Sequence, residues 1–232
     1  MGAHCDGAFA EYVKVLTRKM YKIPKELDLR LAALAEPVAV AVHDVRRSGL
    51  QVGQTALIIG GGPIGMLIAM VARASGARRV VISEINAFRR GFAERHGFDT
   101  LNPLDADFAA QIGALTEGKG FDVSFEVSGS RPGIAAAVEH TTIGGMIMVV
   151  GMTKEPYPVD LSAMFSKELR MQGVRIHAQY NFIGAVELLK SGELNEAFAS
   201  LISKVYPLDQ VEEAFAFADV PGDYFKVLVE MQ

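Results

Sequence analysis

Apolar residues follow two patterns that alternate along this chain. Short apolar runs that stop at glycine, serine or an acidic residue predict strands near residues 57–59, 79–83, 100–102, 122–127 and 146–150. Between them, segments rich in apolar and helix-forming residues predict helices over 66–75, 86–96, 107–115 and 132–139. This alternation indicates a parallel sheet with helices on both faces.

The two ends of the chain are less regular. Residues 7–16 alternate as a strand does, and a short helix over 29–34 is followed by a second over 38–47. The Glu36-Pro37 pair should separate these helices, because proline disfavours the helical conformation in the residue before it. Towards the other end we expect an extended loop over residues 155–160. We also expect three strands, over 169–176, 201–206 and 225–231, and two helices, over 182–190 and 208–218.

A glycine-rich turn lies where the first buried strand meets the first helix. Gly60, Gly62 and Gly65 form Gly-x-Gly-x-x-Gly, and Pro63 and Ile64 open the helix. For a dinucleotide, the first glycine allows the turn, the second removes a Cβ that would block the pyrophosphate, and the third lets the helix pack closely. Proline suits the first helical turn, and the free N–H groups of that turn would hold the phosphates.

An acidic residue follows the next predicted strand at the spacing that a dinucleotide site requires. Glu84 comes about twenty residues after Gly65, where a carboxylate accepts hydrogen bonds from the adenosine ribose. Such a carboxylate repels a 2′-phosphate, so NAD is predicted over NADP, although Arg89 and Arg90 could soften that preference. The glycines and Glu84 together predict a doubly wound α/β sheet, the Rossmann fold, with strand order 3-2-1-4-5-6.

Composition narrows the class of protein. The 232 residues are 50% hydrophobic and 22% charged, which is ordinary for a globular protein. The net charge of −4 and the lack of a basic cluster argue against a nucleic-acid partner. No apolar run is long enough to span a membrane, the start does not read as a signal peptide, and the single cysteine, Cys5, fits a reducing compartment, so we expect a cytoplasmic protein.

Several segments in this order resemble the medium-chain, zinc-dependent dehydrogenases. They are Asp-Gly-Ala-Phe-Ala-Glu-Tyr at 6–12, Ala-Glu-Pro-Val-Ala-Val at 35–40, the glycine turn at 60–65, Phe-Glu-Val-Ser-Gly at 125–129 and Lys-Val-Leu at 226–228. The chain is most similar to the polyol branch of sorbitol, butanediol and threonine dehydrogenases, over essentially its whole length. The resemblance implies oxidation of a secondary alcohol or polyol to a ketone, by hydride transfer to NAD.

The resemblance also implies which part of such an enzyme this sequence represents. Family members begin with a GroES-like catalytic domain that supplies a zinc-binding cysteine and a Gly-His-Glu segment, and neither has a match here. We therefore expect residues 1–37 and 177–232 to be remnants of that domain, and residues 38–176 to be the nucleotide-binding domain. Zinc, present in the parent enzyme, is expected to be absent from this chain, which should bind NAD without catalysing the reaction.

Individual residues acquire roles from the same resemblance. Glu36 matches the acid that reaches the catalytic zinc or its bound water in the polyol branch, so it is the catalytic and metal-binding candidate. Open α/β sheets bind ligands at the carboxyl ends of their strands, and the family often has a basic residue near the pyrophosphate. These considerations add six cofactor-binding candidates: Ser128, Gly129, Val150, Gly151, Met152 and Lys226.

The family also pairs strands across a twofold axis in the segment corresponding to residues 153–175. Because an exposed sheet edge must be paired or covered, we expect a homodimer or homotetramer. Two alternatives remain for function. One is a stand-alone NAD-binding module without catalysis, and the other is a zinc-free quinone or enoyl reductase, against which Glu36-Pro37 and Glu84 argue.

Overall fold

The structure is a computed structural model that describes residues 5–231. Its contacts divide the chain into two compact units. The larger is Glu36–Ala185, and the smaller combines Met1–Ala35 with Val186–Gln232. The resemblance suggested domain boundaries between residues 37 and 38 and between residues 176 and 177. These boundaries stay a prediction.

The regular elements follow the strand–helix alternation. The strands are β1 Thr55–Ile59, β2 Arg79–Ser83, β3 Asp99–Leu101, β4 Phe121–Glu126, β5 Thr141–Val149, β6 Arg170–Gly173, β7 Ile202–Pro207 and β8 Lys226–Glu230. The α-helices are α1 Leu29–Ala32, α2 Ala35–Ser48, α3 Pro63–Ala74, α4 Ala87–Arg95, α5 Phe108–Thr116, α6 Arg131–His140, α7 Leu161–Ser166, α8 Gln179–Ser191, α9 Asn195–Ala199 and α10 Val211–Asp219. Among the described residues, no helix has the length and apolar character needed to cross a membrane.

The larger unit contains a six-stranded parallel sheet in the order β3-β2-β1-β4-β5-β6. This confirms the predicted doubly wound fold and its strand order. All five residues of β1 are buried, as a central strand requires when helices cover both faces of the sheet. Apolar side chains from four strands, Leu57, Val81, Phe121 and Ile147, meet in one core cluster. The carboxyl ends of the strands therefore share one rigid edge.

The smaller unit is built around two parallel strands, β7 and β8, with α10 in the connection between them. Phe9 packs edge-on against Phe215 with ring centroids 5.5 Å apart. The Arg30 guanidinium pairs with the Glu230 carboxylate at 2.8 Å, tying the segment before α2 to the last strand.

The strand predicted over residues 7–16 is wrong. The structure has no regular element there, and a single 3-10 turn, Thr17–Lys19, follows. Most of these side chains are exposed, including Tyr12 at 92%. Alternation in sequence suits a strand, but a strand forms only where a neighbouring strand bonds its backbone.

The helix predicted over 38–47 begins three residues earlier than expected, at Ala35. Glu36 and Pro37 lie inside its first turn, where a missing proline N–H breaks no helical hydrogen bond. Two short helices, α7 and α9, were not predicted at all. Both have six residues or fewer, too few for a helical repeat to be visible in the sequence.

Candidate nucleotide-binding site

The glycine turn connects β1 to α3 and presents the amino end of that helix. Gly62 is the N-cap, and the first N–H that bonds back to it is that of Met66, at 2.9 Å. The N–H groups of Ile64 and Gly65 therefore precede the helical ladder and are free to meet an anion. A Cβ on Gly65 would overlap the carbonyl oxygen of Gly60, so only glycine allows the helix to approach the turn this closely.

Gly62 differs from Gly65 because a Cβ there would overlap no protein atom. The nearest protein atom to that position is Arg89 Nη1, at 3.7 Å. Its φ of −68° is available to any residue. The missing side chain therefore leaves room for a ligand rather than for the fold.

Glu84 follows β2 and is 5% exposed. One of its carboxylate oxygens, Oε2, accepts the N–H of Gly61 at 2.7 Å, and the other accepts the N–H of Asn86 at 2.8 Å. Glu84 thus fixes the glycine turn to the start of α4, a role that sequence spacing did not suggest. Each oxygen keeps a second acceptor position, which a ribose hydroxyl could use.

Arg89 reaches the same corner from α4. Its Nη1 lies 3.7 Å from Glu84 Oε2, and the arginine side chain is about one-third exposed. The Asn86 side chain caps α4 by accepting the N–H of Arg89 at 3.0 Å, which sets the start of the helix and the place from which the arginine extends. The positive charge beside Gly62 favours a phosphate, whereas Glu84 opposes one on the ribose.

The exits of β4 and β5 form the second half of the site. The loop at Ser128 lies against the glycine turn, since a Cβ on Gly60 would be 3.0 Å from the Ser128 nitrogen. Gly129 has φ +62°, and a Cβ there would be 2.7 Å from the carbonyl oxygen of Met152. A Cβ on Gly151 would in turn overlap the Gly129 nitrogen. The predicted candidates at these two exits are therefore brought together, with the side chain of Met152 94% exposed.

Glu126, the last residue of β4, is the residue that sequence reasoning missed. It is fully buried. Its side chain accepts the Ser128 hydroxyl and, at 3.0 Å, the Gly129 N–H. Its backbone carbonyl accepts the N–H groups of Val150 and Gly151, both at 2.9 Å. In the sequence, Glu126 appeared only within the 125–129 segment that carries the family resemblance, and nothing there gave its side chain a role.

Glu36 lies in the first turn of α2 with its side chain 60% exposed. Its Oε1 is 3.8 Å from His177 Nε2, and His177 Nδ1 is 3.2 Å from the Ala178 carbonyl oxygen. A protein zinc site uses three or four ligands. No three His, Cys, Asp or Glu side chains within residues 5–231 come together in this way, so the described donor set does not fit a catalytic zinc.

Lys226 opens β8 in the smaller unit and is partly buried. Its assignment to the cofactor pyrophosphate stays a prediction, as do the ligand roles of the other candidates.

These features define a class of protein. The parallel sheet, the glycine turn at an open helix end and the acid after β2 are those of a Rossmann-type dinucleotide-binding domain. The sequence model of the family described as zinc-binding dehydrogenase matches residues 63–191. The chain belongs to this zinc-binding dehydrogenase family.

Individual relatives agree with that assignment. The chain is 42% identical over 230 residues to 2-dehydro-3-deoxy-L-galactonate 5-dehydrogenase of Pseudoalteromonas atlantica, covering 99% of this chain and 67% of the relative. The solved L-idonate 5-dehydrogenase of Escherichia coli superposes with a TM-score of 0.88 at 32% identity, covering 97% of this chain and 64% of that one. A protein of the zinc-binding dehydrogenase type from Sinorhizobium meliloti 1021 was solved with NADP bound. It superposes with a TM-score of 0.88 at 30% identity, covering 99% of this chain and 67% of that one.

The matches are partial on the relatives' side. Three further curated relatives are covered over 53%, 60% and 62% of their own length. The chain therefore spans between about half and two thirds of the length of these relatives.

Proposed function

We propose that this chain is the NAD-binding portion of a zinc-dependent alcohol or polyol dehydrogenase. The observation that carries the proposal is the meeting of the open α3 end, Glu84 and the two glycine exits at one edge of the sheet. A ligand of dinucleotide length has a phosphate contact, a ribose contact and a ring contact to make, and this edge offers groups for each.

The groups divide along the proposed ligand. The backbone of Gly62, Pro63, Ile64 and Gly65, with Arg89 beside it, suits the pyrophosphate. Glu84 suits the adenosine ribose. Backbone groups at the two strand exits suit the nicotinamide carboxamide, namely those of Ser128, Gly129, Val150, Gly151 and Met152. Hydride acceptance is the chemistry that a bound nicotinamide supplies.

Glu84 supports NAD over NADP. A buried carboxylate at this place would repel a 2′-phosphate while accepting ribose hydroxyls. One related protein was solved with NADP bound, and Arg89 is the group on this chain that could favour a phosphate.

For the whole protein, we propose oxidation of a secondary alcohol in a small polyol or sugar acid. The support is the resemblance of the chain to dehydrogenases named for such substrates. Glu36, with His177 near it, is the proposed contribution to the catalytic and metal site. Because Glu36 supplies at most one of the usual ligands, we propose that this chain binds NAD but does not turn over by itself. The alternative of a non-catalytic NAD-binding module predicts the same result for this chain.

Location and assembly complete the proposal. A single cysteine in 232 residues is consistent with a reducing, cytoplasmic compartment. Within residues 5–231 no strand pairs with the outer edge of β6. This edge supports assembly into a homodimer or homotetramer, since an unpaired strand edge is a pairing surface.

The test is calorimetric titration of the chain with NADH and with NADPH, for the natural sequence and for Glu84→Gln. We expect NADH to bind with a dissociation constant on the order of micromolar and NADPH to bind at least roughly tenfold more weakly. The variant should weaken NADH binding. It should also reduce the difference between the dissociation constants of NADH and NADPH, because it removes the charge that repels the 2′-phosphate. If neither nucleotide binds, the proposed function is wrong. If the variant leaves both affinities unchanged, only the assignment of Glu84 fails.

A further inference from the structure

The carboxylate of Glu126 is fully buried, and its hydrogen-bond donors are neutral. Taking a carboxylate out of water is costly unless its surroundings compensate. Two features do so here. The Gly129 N–H is shared between Oε1 at 3.0 Å and Oε2 at 3.2 Å, and the first turn of α6 faces the same group. A Cβ on Gly133 would lie 2.6 Å from Oε1, so glycine in that turn makes room for the charge at the positive end of the helix.

The same residue connects the two strand exits through its backbone and its side chain. The Glu126 carbonyl oxygen holds the N–H groups of Val150 and Gly151, while its side chain holds Ser128 and Gly129. A Cβ on Gly151 would lie 2.9 Å from Glu126 Oε2. Glu126 is therefore in contact with both loops proposed for the nicotinamide, yet it is not itself open to a ligand.

The adenosine half of the site has a different support. There the Glu84 side chain bonds the backbone of Gly61 and Asn86. Glu84 and Glu126 thus support different halves of the site at the sheet edge. Loss of Glu84 should affect the adenosine half, and loss of Glu126 should affect the nicotinamide half.

We infer that Glu126 is a positioning residue for the nicotinamide half of the cofactor site, an inference that rests on the proposed function. Its carboxylate acts through the Ser128 hydroxyl and the Gly129 N–H, and its backbone carbonyl through the Gly151 N–H, so that both loops keep the arrangement that receives the ring. A carboxylate meets this requirement because both oxygens accept, whereas an amide presents N–H groups towards donors.

The experiment compares two ligands that differ only at the nicotinamide end, NADH and ADP-ribose. Dissociation constants are measured by calorimetry for the natural chain, Glu126→Gln and Glu139→Gln. Glu139 is an exposed glutamate on α6, so its variant makes the same change of charge without touching the loops. For the natural chain, NADH should bind more tightly than ADP-ribose. Glu126→Gln should weaken NADH roughly tenfold and ADP-ribose less than about twofold, and Glu139→Gln should change neither.

A second variant covers the case in which Glu126→Gln does not fold, as judged by its thermal unfolding. Ser128→Ala removes one donor from the carboxylate and should give the same selective loss in smaller measure. Glu84→Gln should instead weaken both ligands together, because both contain the adenosine ribose.

Three results would overturn the inference. Equal losses for NADH and ADP-ribose in Glu126→Gln would mean a general structural role. No loss for either ligand would mean that the loops hold their positions without the charge. Equal affinity of the natural chain for both ligands would leave no nicotinamide contribution for Glu126 to support. Failure of the proposed function looks different, because the natural chain would then bind neither ligand.

Discussion

At the scale of single residues, Asp44 is a buried acid whose surroundings do not compensate a charge. It lies on α2, is 1% exposed, and neither carboxylate oxygen has a hydrogen-bond partner among the described residues. Burial raises the pKa of Asp44 to about 7, because the charged form is deprived of water. The folded chain therefore keeps the proton at pH values where the unfolded chain has lost it.

The direction of the pH dependence follows from that pKa. As pH rises from about 4 to about 7, the unfolded chain ionises Asp44 while the folded chain does not, so this residue lowers the free energy of unfolding progressively and fully above about pH 7. Asp44→Asn stays neutral and should be more stable than the natural chain at about pH 8, by roughly a few kcal/mol. The difference should shrink towards about pH 4.

Urea unfolding at several pH values checks this prediction. Asp223→Asn, at an exposed aspartate, serves as the control and should give the same offset at every pH. A constant offset for Asp44→Asn as well would show that the buried carboxylate does not set the pH dependence.

Glu84 and Glu126 show how far residue roles could be predicted from the sequence. The place of Glu84 was predictable because its distance from the glycine turn is fixed by one helix and one strand. The role of Glu126 was not, because its partners at Ser128 and Gly151 depend on where β4 and β5 end relative to each other. A pattern in one chain carries no information about that register.

At the scale of elements, prediction succeeded where a long repeat coincided with a buried face. The helices after the glycine turn and after β2 were predicted because each is a helix-forming segment that ends at a glycine, Gly76 or Gly97. It failed for residues 7–16, whose alternation finds no strand to pair with, and for short α7.

The outer edge of strand β6 is the predicted site of dimerisation. The Val174 N–H donates to Val149 on β5 at 3.1 Å, so by alternation Met171 and Gly173 direct their N–H groups away from the sheet. If a second copy pairs along this edge, Met171→Pro should remove an outward donor and shift a dimer towards monomer.

Sedimentation velocity measures that shift. Met171→Ala is the matched control, because it loses the same partly buried side chain but keeps the N–H, and it should remain dimeric. A natural chain that sediments as a monomer would contradict the proposed assembly, and equal dimerisation of both variants would place the contact elsewhere.

At the scale of the whole molecule, the sheet order was predictable because right-handed crossovers and strand–helix alternation leave few topologies. The division into units was less predictable, since the smaller unit is assembled from the two ends of the chain. Local periodicity does not reveal that Arg30 pairs with Glu230, 200 residues later. The resemblance to a family, rather than periodicity, brought those ends together.

The central claim is that the glycine turn and the exits of β4 and β5 form one NAD site. Amide NMR spectra recorded during titration with NADH test it most directly. We expect the resonances of Ile64, Gly65, Gly129 and Gly151 to shift together with one dissociation constant. Gly65→Ala, whose Cβ would overlap the turn, should abolish those shifts, whereas Gly113→Ala, with open space around its Cβ, should preserve them. If NADH moves none of these resonances, or moves only a set away from this edge, the account is contradicted.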